Sequence, residues 1–380
     1  MDTAARAEAT IDLAAIRSNV AALRLRSSGA ALMAVVKADG YGHGLVPAAT
    51  AAVAGGATWL GVASVEEAVA LRAAGLTTPR ILSWLAAPGE RWADALGADV
   101  DVAAYSRWQL GEIAEAATSR GATARVHLKI DTGLSRGGAQ PHDWPALVDA
   151  ALAAQADGSV AVVGLWSHLA CADEPGHPSV ARQVDAFRES LAFAERVGLR
   201  PEVRHLANSA GTLVVPESHF DLVRAGIAVY GLSPVQGLSD ADAGLVPAMT
   251  LRARFALVKR VPAGAGVSYG HRYVTSRETT LGLVPLGYAD GVPRAASSVG
   301  PVWAAGRRRR IAGTVCMDQF VIDLGDDPSA EGDEVVLFGP GTSGEPTAHD
   351  WAAATGTISY EIVTRIGSRV PRRQVGEEAG

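Results

Sequence analysis

The stretch Ala34–Gly44 reads AVVKADGYGHG, and the rest of the chain is organised around it. It completes an unbroken apolar run from Leu32 to Val36, which has the length of a buried strand. The strand leads directly into Lys37 and then into a turn rich in glycine. Burial at a strand end lowers the pKa of a lysine toward a neutral amine that acts as nucleophile or base. A surface lysine at a strand end is the competing interpretation.

Composition favours the reactive lysine. Of the 34 lysine and arginine residues, three are lysines: Lys37, Lys129 and Lys259. Lysine can lose its proton to become a neutral amine in a protein, whereas arginine stays charged. A lysine directly after a core strand, in a chain that otherwise uses arginine, therefore indicates amine chemistry.

Length and charge limit the class of protein. The 380 residues, with 48% hydrophobic residues and 42 glycines, are typical of an α/β enzyme with more than one domain. A net charge of −6 and a pI near 5.9 argue against nucleic acid or an anionic membrane as the main partner. The run Arg307–Arg310 is the exception, and we predict a solvated turn between two strands there.

Cysteine usage and the amino terminus indicate the compartment. Cys171 and Cys316 provide neither a disulfide framework nor a metal cluster. The amino terminus has no basic segment followed by an apolar one, and no apolar run approaches membrane-spanning length. We therefore expect a cytoplasmic protein with no bound metal and no membrane partner.

About eight strand-then-helix units follow one another from residue 10 to residue 238. The predicted strands are Leu32–Val36, Thr58–Ala63, Arg80–Leu85, Val100–Ala104, Arg125–Ile130, Val160–His168, Val203–Ala207 and Asp221–Val223. This repetition is typical of a (β/α)₈ TIM-type barrel, which needs roughly 250 residues. A doubly wound open sheet is the rival α/β fold, but it usually carries a glycine-rich nucleotide turn where Lys37 stands here.

The texture changes after residues 237–242. Short strand-like runs separated by Gly, Pro and Asp follow, namely Met249–Val258, Thr280–Pro285, Gly313–Cys316, Gln319–Leu324 and Glu334–Phe338. We predict a mainly β C-terminal domain over residues 245–380, with residues 1–9 as a candidate addition to it.

Functional groups of such barrels lie at the carboxyl ends of the strands. Reading those ends in order gives Lys37, the segment Lys129–Arg136, the segment Trp166–His168, the segment Ala207–Ala210, and the segment Arg224–Ile227. Phosphate is commonly held after strands 7 and 8, where Ser209, Gly226 and Ile227 fall. A lysine amine across the barrel mouth from a phosphate site calls for a phosphorylated aldehyde, and pyridoxal phosphate is the obvious candidate.

Five segments, in order, resemble alanine racemases. They are Val35–Gly44, Asp131–Gly133, Val267–Gly270, Val315–Asp318 and Ile358–Glu361. The resemblance extends from about Ile11 to Arg372 and implies a barrel followed by a β domain. Asp-Thr-Gly alone is a weak signal, whereas the joint occurrence of all five segments is highly specific.

The resemblance implies two opposing bases. Lys37 resembles the lysine that holds pyridoxal phosphate as a Schiff base and then serves the D-enantiomer. Tyr269 resembles the base on the opposite face of Cα, which serves the L-enantiomer. A tyrosine acts as a base only where neighbours favour its phenolate, and His168 resembles the histidine that hydrogen-bonds it. Arg224 resembles the arginine that faces the pyridine nitrogen.

The resemblance also implies cofactor and substrate contacts. The residues implied to hold the cofactor phosphate are Tyr41, Ser209, Gly226, Ile227 and Tyr360. Arg136 and Met317 resemble the contacts of the substrate carboxylate, and Asp318 lies near the active site in the family. Lys129 matches a lysine that is carbamylated in some members, where the carbamate orients Arg136. Family architecture places Tyr269 over the barrel of a second subunit, which implies a homodimer with shared active sites.

Two positions depart from the family pattern. Ala225 stands where a proline is common, and Thr314 stands where many members carry an arginine near the substrate entrance.

The leading hypothesis is a pyridoxal-phosphate-dependent alanine racemase that supplies D-alanine for peptidoglycan. The alternatives are a racemase of the same fold acting on serine or another amino acid, a non-catalytic cofactor carrier, and a barrel-type decarboxylase. The carrier lacks an opposing tyrosine, and the decarboxylase needs an acid where Arg224 stands.

Overall fold

The computed structural model describes residues 5–27 and 29–376, which form two compact units. One unit, called the barrel unit below, consists of residues 16–40 and 45–246; the other, the β unit, consists of residues 5–15, 41–44 and 247–376. The predicted domains of residues 10–238 and 245–380, with the candidate addition of residues 1–9, include positions 1–4 and 377–380. Those positions and residue 28 lie outside the described residues.

Eight parallel strands form the centre of the barrel unit. In chain order they are Ala31–Val35, Trp59–Val62, Arg80–Ser83, Asp101–Ala104, Ala124–Lys129, Val160–Trp166, Val203–His205 and Leu222–Ala225. Each strand pairs with the next along the chain as far as the seventh, and the first also pairs with the eighth. Backbone hydrogen bonds of 3.0 Å from Asp221 N–H to Arg204 C=O and from Arg224 N–H to Ala207 C=O join the last two strands. The predicted (β/α)₈ TIM-type barrel is confirmed.

Helices alternate with these strands, and some of them begin at a polar side-chain cap. Those between the strands are Leu45–Ala54, Val65–Ala73, Trp92–Gly97, Arg107–Arg120, Trp144–Ala156, Ser179–Arg196 and Ser209–Val214, and Leu13–Arg26 precedes the first strand. Ser64 caps one helix in a capping box with Glu67, and Ser106 caps another that ends at left-handed Gly121. Apolar side chains on the strands and on the inner helix faces form the core.

The β unit is mainly β, as predicted. One sheet orders its strands as Arg307–Arg310, Pro301–Ala304, Glu334–Phe338, Met249–Arg254, Ala7–Asp12 and Arg372–Val375, and a second comprises Leu257–Val261, Thr279–Val284 and Phe320–Gly325. A hairpin pairs Gly266–Val267 with Tyr273–Val274, and two helices, Ala348–Thr355 and Ser359–Thr364, complete the unit. No helix within the described residues is long and apolar enough to cross a membrane.

Two predictions about the β unit are wrong, and a third run, Met249–Val258, is divided between the strands Met249–Arg254 and Leu257–Val261 of different sheets. Arg307–Arg310 is a strand at the edge of the larger sheet and not a turn. Charged residues suit an edge strand because they discourage pairing with another chain, and Asp327 and Asp350 pair with this one. Gly313–Cys316 is irregular and not a strand, because Gly313 has a φ of 81° and Cys316 N–H closes a turn onto Gln319 C=O at 2.9 Å.

Candidate active site

Lys37 follows the first barrel strand and begins a left-handed turn. Ala38, Asp39 and Gly40 have φ values of 54°, 53° and 60°, a conformation that disfavours non-glycine residues. Glu67 Oε1 accepts a hydrogen bond of 2.7 Å from Ala38 N–H, and Gly40 N–H donates to the Val36 carbonyl at 2.8 Å. Backbone strain that is held by its surroundings is common at functional sites, and here it fixes the backbone from which Lys37 extends.

Burial lowers the pKa of Lys37, and the positive charge of Arg136 lowers it further, while Glu67 opposes both effects. His168 follows the sixth strand, and its pKa lies well below the ordinary histidine value. The main cause is burial, to which the charges of Arg224, Arg136, Lys129 and Lys37 add. The site therefore gathers four cationic side chains around a neutral imidazole.

Arg224 lies on the eighth strand, its guanidinium is buried, and the groups that accept its hydrogen bonds are neutral. It donates to the Ser167 carbonyl at 2.8 Å, the Leu206 carbonyl at 3.2 Å and His168 Nδ1 at 3.2 Å. A guanidinium only donates, so His168 Nδ1 must carry its lone pair and Nε2 its proton. Burial without a carboxylate lowers the pKa of Arg224 to about 9.

A buried chain of hydrogen bonds runs from Arg224 through the barrel. Arg224 Nη1 donates to His205 Nδ1 at 3.1 Å, His205 Nε2 lies 2.9 Å from His127 Nδ1, and His127 Nε2 lies 3.1 Å from Asp101 Oδ2. Burial would raise the pKa of Asp101, but the hydrogen bond from His127 and the charges of the nearby arginines lower it. In His127 and His205, by contrast, burial lowers the pKa of the imidazole. Each neutral histidine therefore donates its N–H toward the carboxylate. A single arrangement of protons forms every hydrogen bond from Arg224 to Asp101.

Sequence reasoning missed Asp101, His127 and His205. Strand alternation could have revealed part of this row of hydrogen bonds, because Arg125, His127 and Lys129 share one face of the fifth strand. Three polar residues on the inward face of a barrel strand require partners inside the barrel. Stacking of Trp166 on His205, with ring centroids 5.5 Å apart, could not be inferred from the pattern.

The segments after strands 7 and 8 meet at Ser209. Its Oγ accepts hydrogen bonds from Gly226 N–H at 2.8 Å and from Ala228 N–H at 3.4 Å. Because both bonds use the oxygen as acceptor, the hydroxyl proton is available to donate to an anion. Ile227 lies between the residues that carry these two amides and begins the short turn Ile227–Tyr230. Ser209, Gly226 and Ile227 are thus brought together.

The end of the fifth strand and the loop after it contribute two cations. Lys129 Nζ lies 4.4 Å from the centroid of the Trp166 ring, and burial, followed by the charges of Arg224 and Arg136, lowers its pKa to about 8. Asp131 Oδ1 orders the loop by accepting from three successive backbone amides at 2.9 to 3.1 Å. Arg136 makes no hydrogen bond or ion pair with another described residue, so its donors are available to a ligand.

These groups fit pyridoxal phosphate. The cofactor carries an aldehyde and a phosphate, and the site offers a lysine amine, a hydroxyl donor at Ser209 and an excess of positive charge. Trp166 Nε1–H is buried with no partner among the described residues, as expected beside a site that receives a polar ligand.

The β unit carries the remaining predicted site residues. The side chains of Tyr269 and Met317 are 76% and 53% exposed. Asp318 pairs with Arg369 at 2.8 Å. Tyr41 and Tyr360 lie together with ring centroids 6.2 Å apart, and burial, with a smaller effect of Tyr360, raises the pKa of Tyr41.

Known proteins match this chain over nearly its whole length, both in sequence and in structure. The family models for the N-terminal and C-terminal domains of alanine racemase match residues 11–234 and 248–374. An alanine racemase of Frankia casuarinae is 64% identical over 97% of this chain and 96% of its own. Solved structures of alanine racemases from Streptomyces lavendulae and Streptomyces coelicolor both superpose with a TM-score of 0.97, at 60% and 62% identity. They cover 99% and 98% of this chain, and each is covered over 98% of its own length.

The predicted resemblance is confirmed, and with it the isomerase class and dependence on pyridoxal phosphate. The chain belongs to the alanine racemase family.

Proposed function

We propose that the chain interconverts L-alanine and D-alanine, with Lys37 and Tyr269 as opposing acid–base groups. The observation that carries the proposal is the cationic cluster around His168, where Lys37, Lys129 and the two arginines act on one imidazole. Such a cluster suits a ligand that combines a cofactor phosphate with a substrate carboxylate. The relatives carry the name alanine racemase, so the alternative of serine or another amino acid is not favoured.

Racemisation requires a proton to leave one face of Cα and another to arrive on the opposite face. When bound, pyridoxal phosphate supplies the electron sink that acidifies the Cα–H bond of the amino acid. Lys37 Nζ is suited to moving a proton on one face, because its lowered pKa makes release of its proton easier. Tyr269 Oη moves the proton on the other face, as the resemblance implies.

The other barrel residues orient these groups. Arg136 offers free donors to the substrate carboxylate, and Met317 offers its backbone amide. His168 presents Nε2–H because Arg224 occupies its Nδ1 at 3.2 Å, and this tautomer suits a hydrogen bond to the tyrosine base. Lys129, with a pKa of about 8, suits carbamylation, which requires a neutral amine.

We assign the remaining predicted contacts to the same site. Tyr41, Ser209, Gly226, Ile227 and Tyr360 hold the cofactor phosphate. Asp318 supports the site from the β unit through its ion pair with Arg369. Both assignments rest on the matched family motifs.

We further propose a homodimer in which Tyr269 of one subunit serves the barrel of the other. The 76% exposure of Tyr269 and the 53% exposure of Met317 support a site completed by a second copy. Mixing inactive Lys37→Ala and Tyr269→Phe subunits, then refolding them together, tests this directly. Half of the randomly formed dimers are mixed, and each holds one intact site of two, so activity returns to about a quarter of the wild-type level. No recovery would show that both bases come from one chain.

The proposed place of action is the cytoplasm, where the product D-alanine supplies peptidoglycan synthesis. The free thiols of Cys171 and Cys316 suit a reducing compartment.

The experiment that tests the function follows loss of optical activity for a panel of L-amino acids. We expect alanine to turn over fastest, with serine slower. Failure to racemise alanine, or faster turnover of another amino acid, would contradict the proposal.

A further inference from the structure

Tyr269 combines an exposed side chain with a firmly held backbone. Its side chain is 76% exposed, and its hydroxyl has no hydrogen-bond partner among the residues that the structure describes. A base must reach the substrate within hydrogen-bonding distance, which requires a supported position. Within the β unit, the described hydrogen bond that holds Tyr269 is made by its backbone carbonyl.

Two hydroxyl groups tie this backbone to the neighbouring segment. Thr314 Oγ1 donates to the Tyr269 carbonyl oxygen at 2.9 Å. Ser268 Oγ donates in the opposite direction, to the Thr314 carbonyl oxygen at 2.7 Å. Since each segment holds the other, neither can slide without breaking one of the two bonds.

The surroundings of this pair leave little room for movement. Thr314 is 2% exposed, and Ser268 is held at a φ of 63°, a conformation that non-glycine residues adopt only under constraint. Gly313 has a φ of 81°, and a Cβ there would lie 2.6 Å from the Val267 carbonyl oxygen. The two segments therefore pack backbone against backbone beside Tyr269.

We propose that Thr314, together with Ser268, is a positioning residue for Tyr269. The proposal rests on the proposed role of Tyr269 as a base. It gives the sequence departure at position 314 a physical meaning. The resemblance implies an arginine there in many family members. This chain instead has a buried threonine, which adds no charge and holds the backbone of the base.

The test compares Thr314→Val, which loses the hydroxyl at nearly constant volume, with Thr314→Ser, which keeps it. Thr275→Val is the matched control, because Thr275 is also 2% exposed and donates to the Pro262 carbonyl at 2.7 Å. A base displaced by about 1 Å loses on the order of 100-fold in rate, so we expect Thr314→Val to lower kcat about 10- to 100-fold. Thr314→Ser and Thr275→Val should keep wild-type kcat.

A face-specific measurement separates positioning from general damage. In D₂O, Thr314→Val should exchange the Cα proton of D-alanine at the wild-type rate, because that face is served by Lys37. Exchange of L-alanine should fall together with racemisation. Equal losses for both enantiomers, or none for either, would overturn the proposal.

A second readout uses the resting holoenzyme without substrate. Backbone amides of residues 266–274 should exchange with deuterium faster in Thr314→Val than in Thr314→Ser, as followed by mass spectrometry. If Thr314→Val does not fold, Ser268→Ala removes the other bond of the pair and carries the same expectations. Unchanged amide exchange in the variant that folds would count against the proposal.

Tyr269→Phe distinguishes failure of this proposal from failure of the function it rests on. If that variant still racemises alanine, Tyr269 is not the base and both proposals fall. If it does not racemise alanine while Thr314→Val behaves as wild type, the positioning proposal alone is overturned.

Discussion

Gly164 lies opposite His127 on the neighbouring barrel strand, and replacing it with alanine should disrupt the buried polar chain. A Cβ at this position would lie 2.0 Å from His127 Nδ1, so the imidazole must move. Moving it breaks its bonds to His205 and Asp101, of 2.9 and 3.1 Å. Overpacking costs about 1–3 kcal/mol, and leaving buried partners unsatisfied costs about 1–3 kcal/mol more for each lost bond. With two bonds lost, we therefore expect Gly164→Ala to lower the free energy of unfolding by about 3–9 kcal/mol.

Guanidinium unfolding at a fixed, saturating pyridoxal phosphate concentration measures this change, followed by circular dichroism and tryptophan fluorescence. Gly111→Ala is the matched control, because Gly111 lies in the helix Arg107–Arg120 and a Cβ there meets nothing within 4 Å. That variant should gain about 0.5–1 kcal/mol from higher helix propensity. If Gly164→Ala matched wild type to within about 1 kcal/mol, the buried chain would not have the stabilising role assigned to it.

Two further predictions follow from the lysines. Lys37→Ala and Lys37→Arg should both lose the visible absorbance of lysine-bound cofactor and at least about 1000-fold in kcat, because neither offers a neutral amine; racemisation by Lys37→Arg near the wild-type rate would contradict the role of Lys37. The pKa of Lys129 is about 8 in the folded chain and about 10.4 in the unfolded chain. Between these pH values the unfolded chain binds more protons than the folded chain, so the free energy of unfolding rises with pH. Relative to Lys129→Met, the wild type should gain about 3 kcal/mol between pH 8 and 10.5 in urea unfolding, and a flat difference would show that Lys129 keeps an ordinary pKa.

The local pattern of apolar and polar residues predicted most of the fold. Eight apolar strand runs separated by helical segments predicted the barrel, and Lys37 was placed correctly after the first strand. The boundaries shifted by one or two residues, as for the first strand, predicted at Leu32–Val36 and found at Ala31–Val35. The edge strand Arg307–Arg310 was missed because four arginines lack the apolar alternation by which strands are recognised, and its role depends on the sheet beside it.

The candidate site was less accessible from sequence. Strand ends identified Lys37, Ser209 and Arg224 by position, whereas Tyr269 came only from the resemblance. The tautomer of His168 depends on Arg224, which lies on a different strand. Thr314 was read as an entrance residue because the chain order does not show that its hydroxyl turns to the Tyr269 carbonyl.

The two-base mechanism is tested most directly by proton exchange in Tyr269→Phe. Because L- and D-alanine have equal free energies, kcat/KM is the same in both directions for any variant, so rates alone cannot assign a base to a face. Cα–H exchange with D₂O can, since it needs only one base. We predict that Tyr269→Phe does not racemise alanine, still exchanges the Cα proton of D-alanine through Lys37, and leaves L-alanine unexchanged. Exchange of L-alanine at the wild-type rate, or continued racemisation, would contradict the opposition of Lys37 and Tyr269.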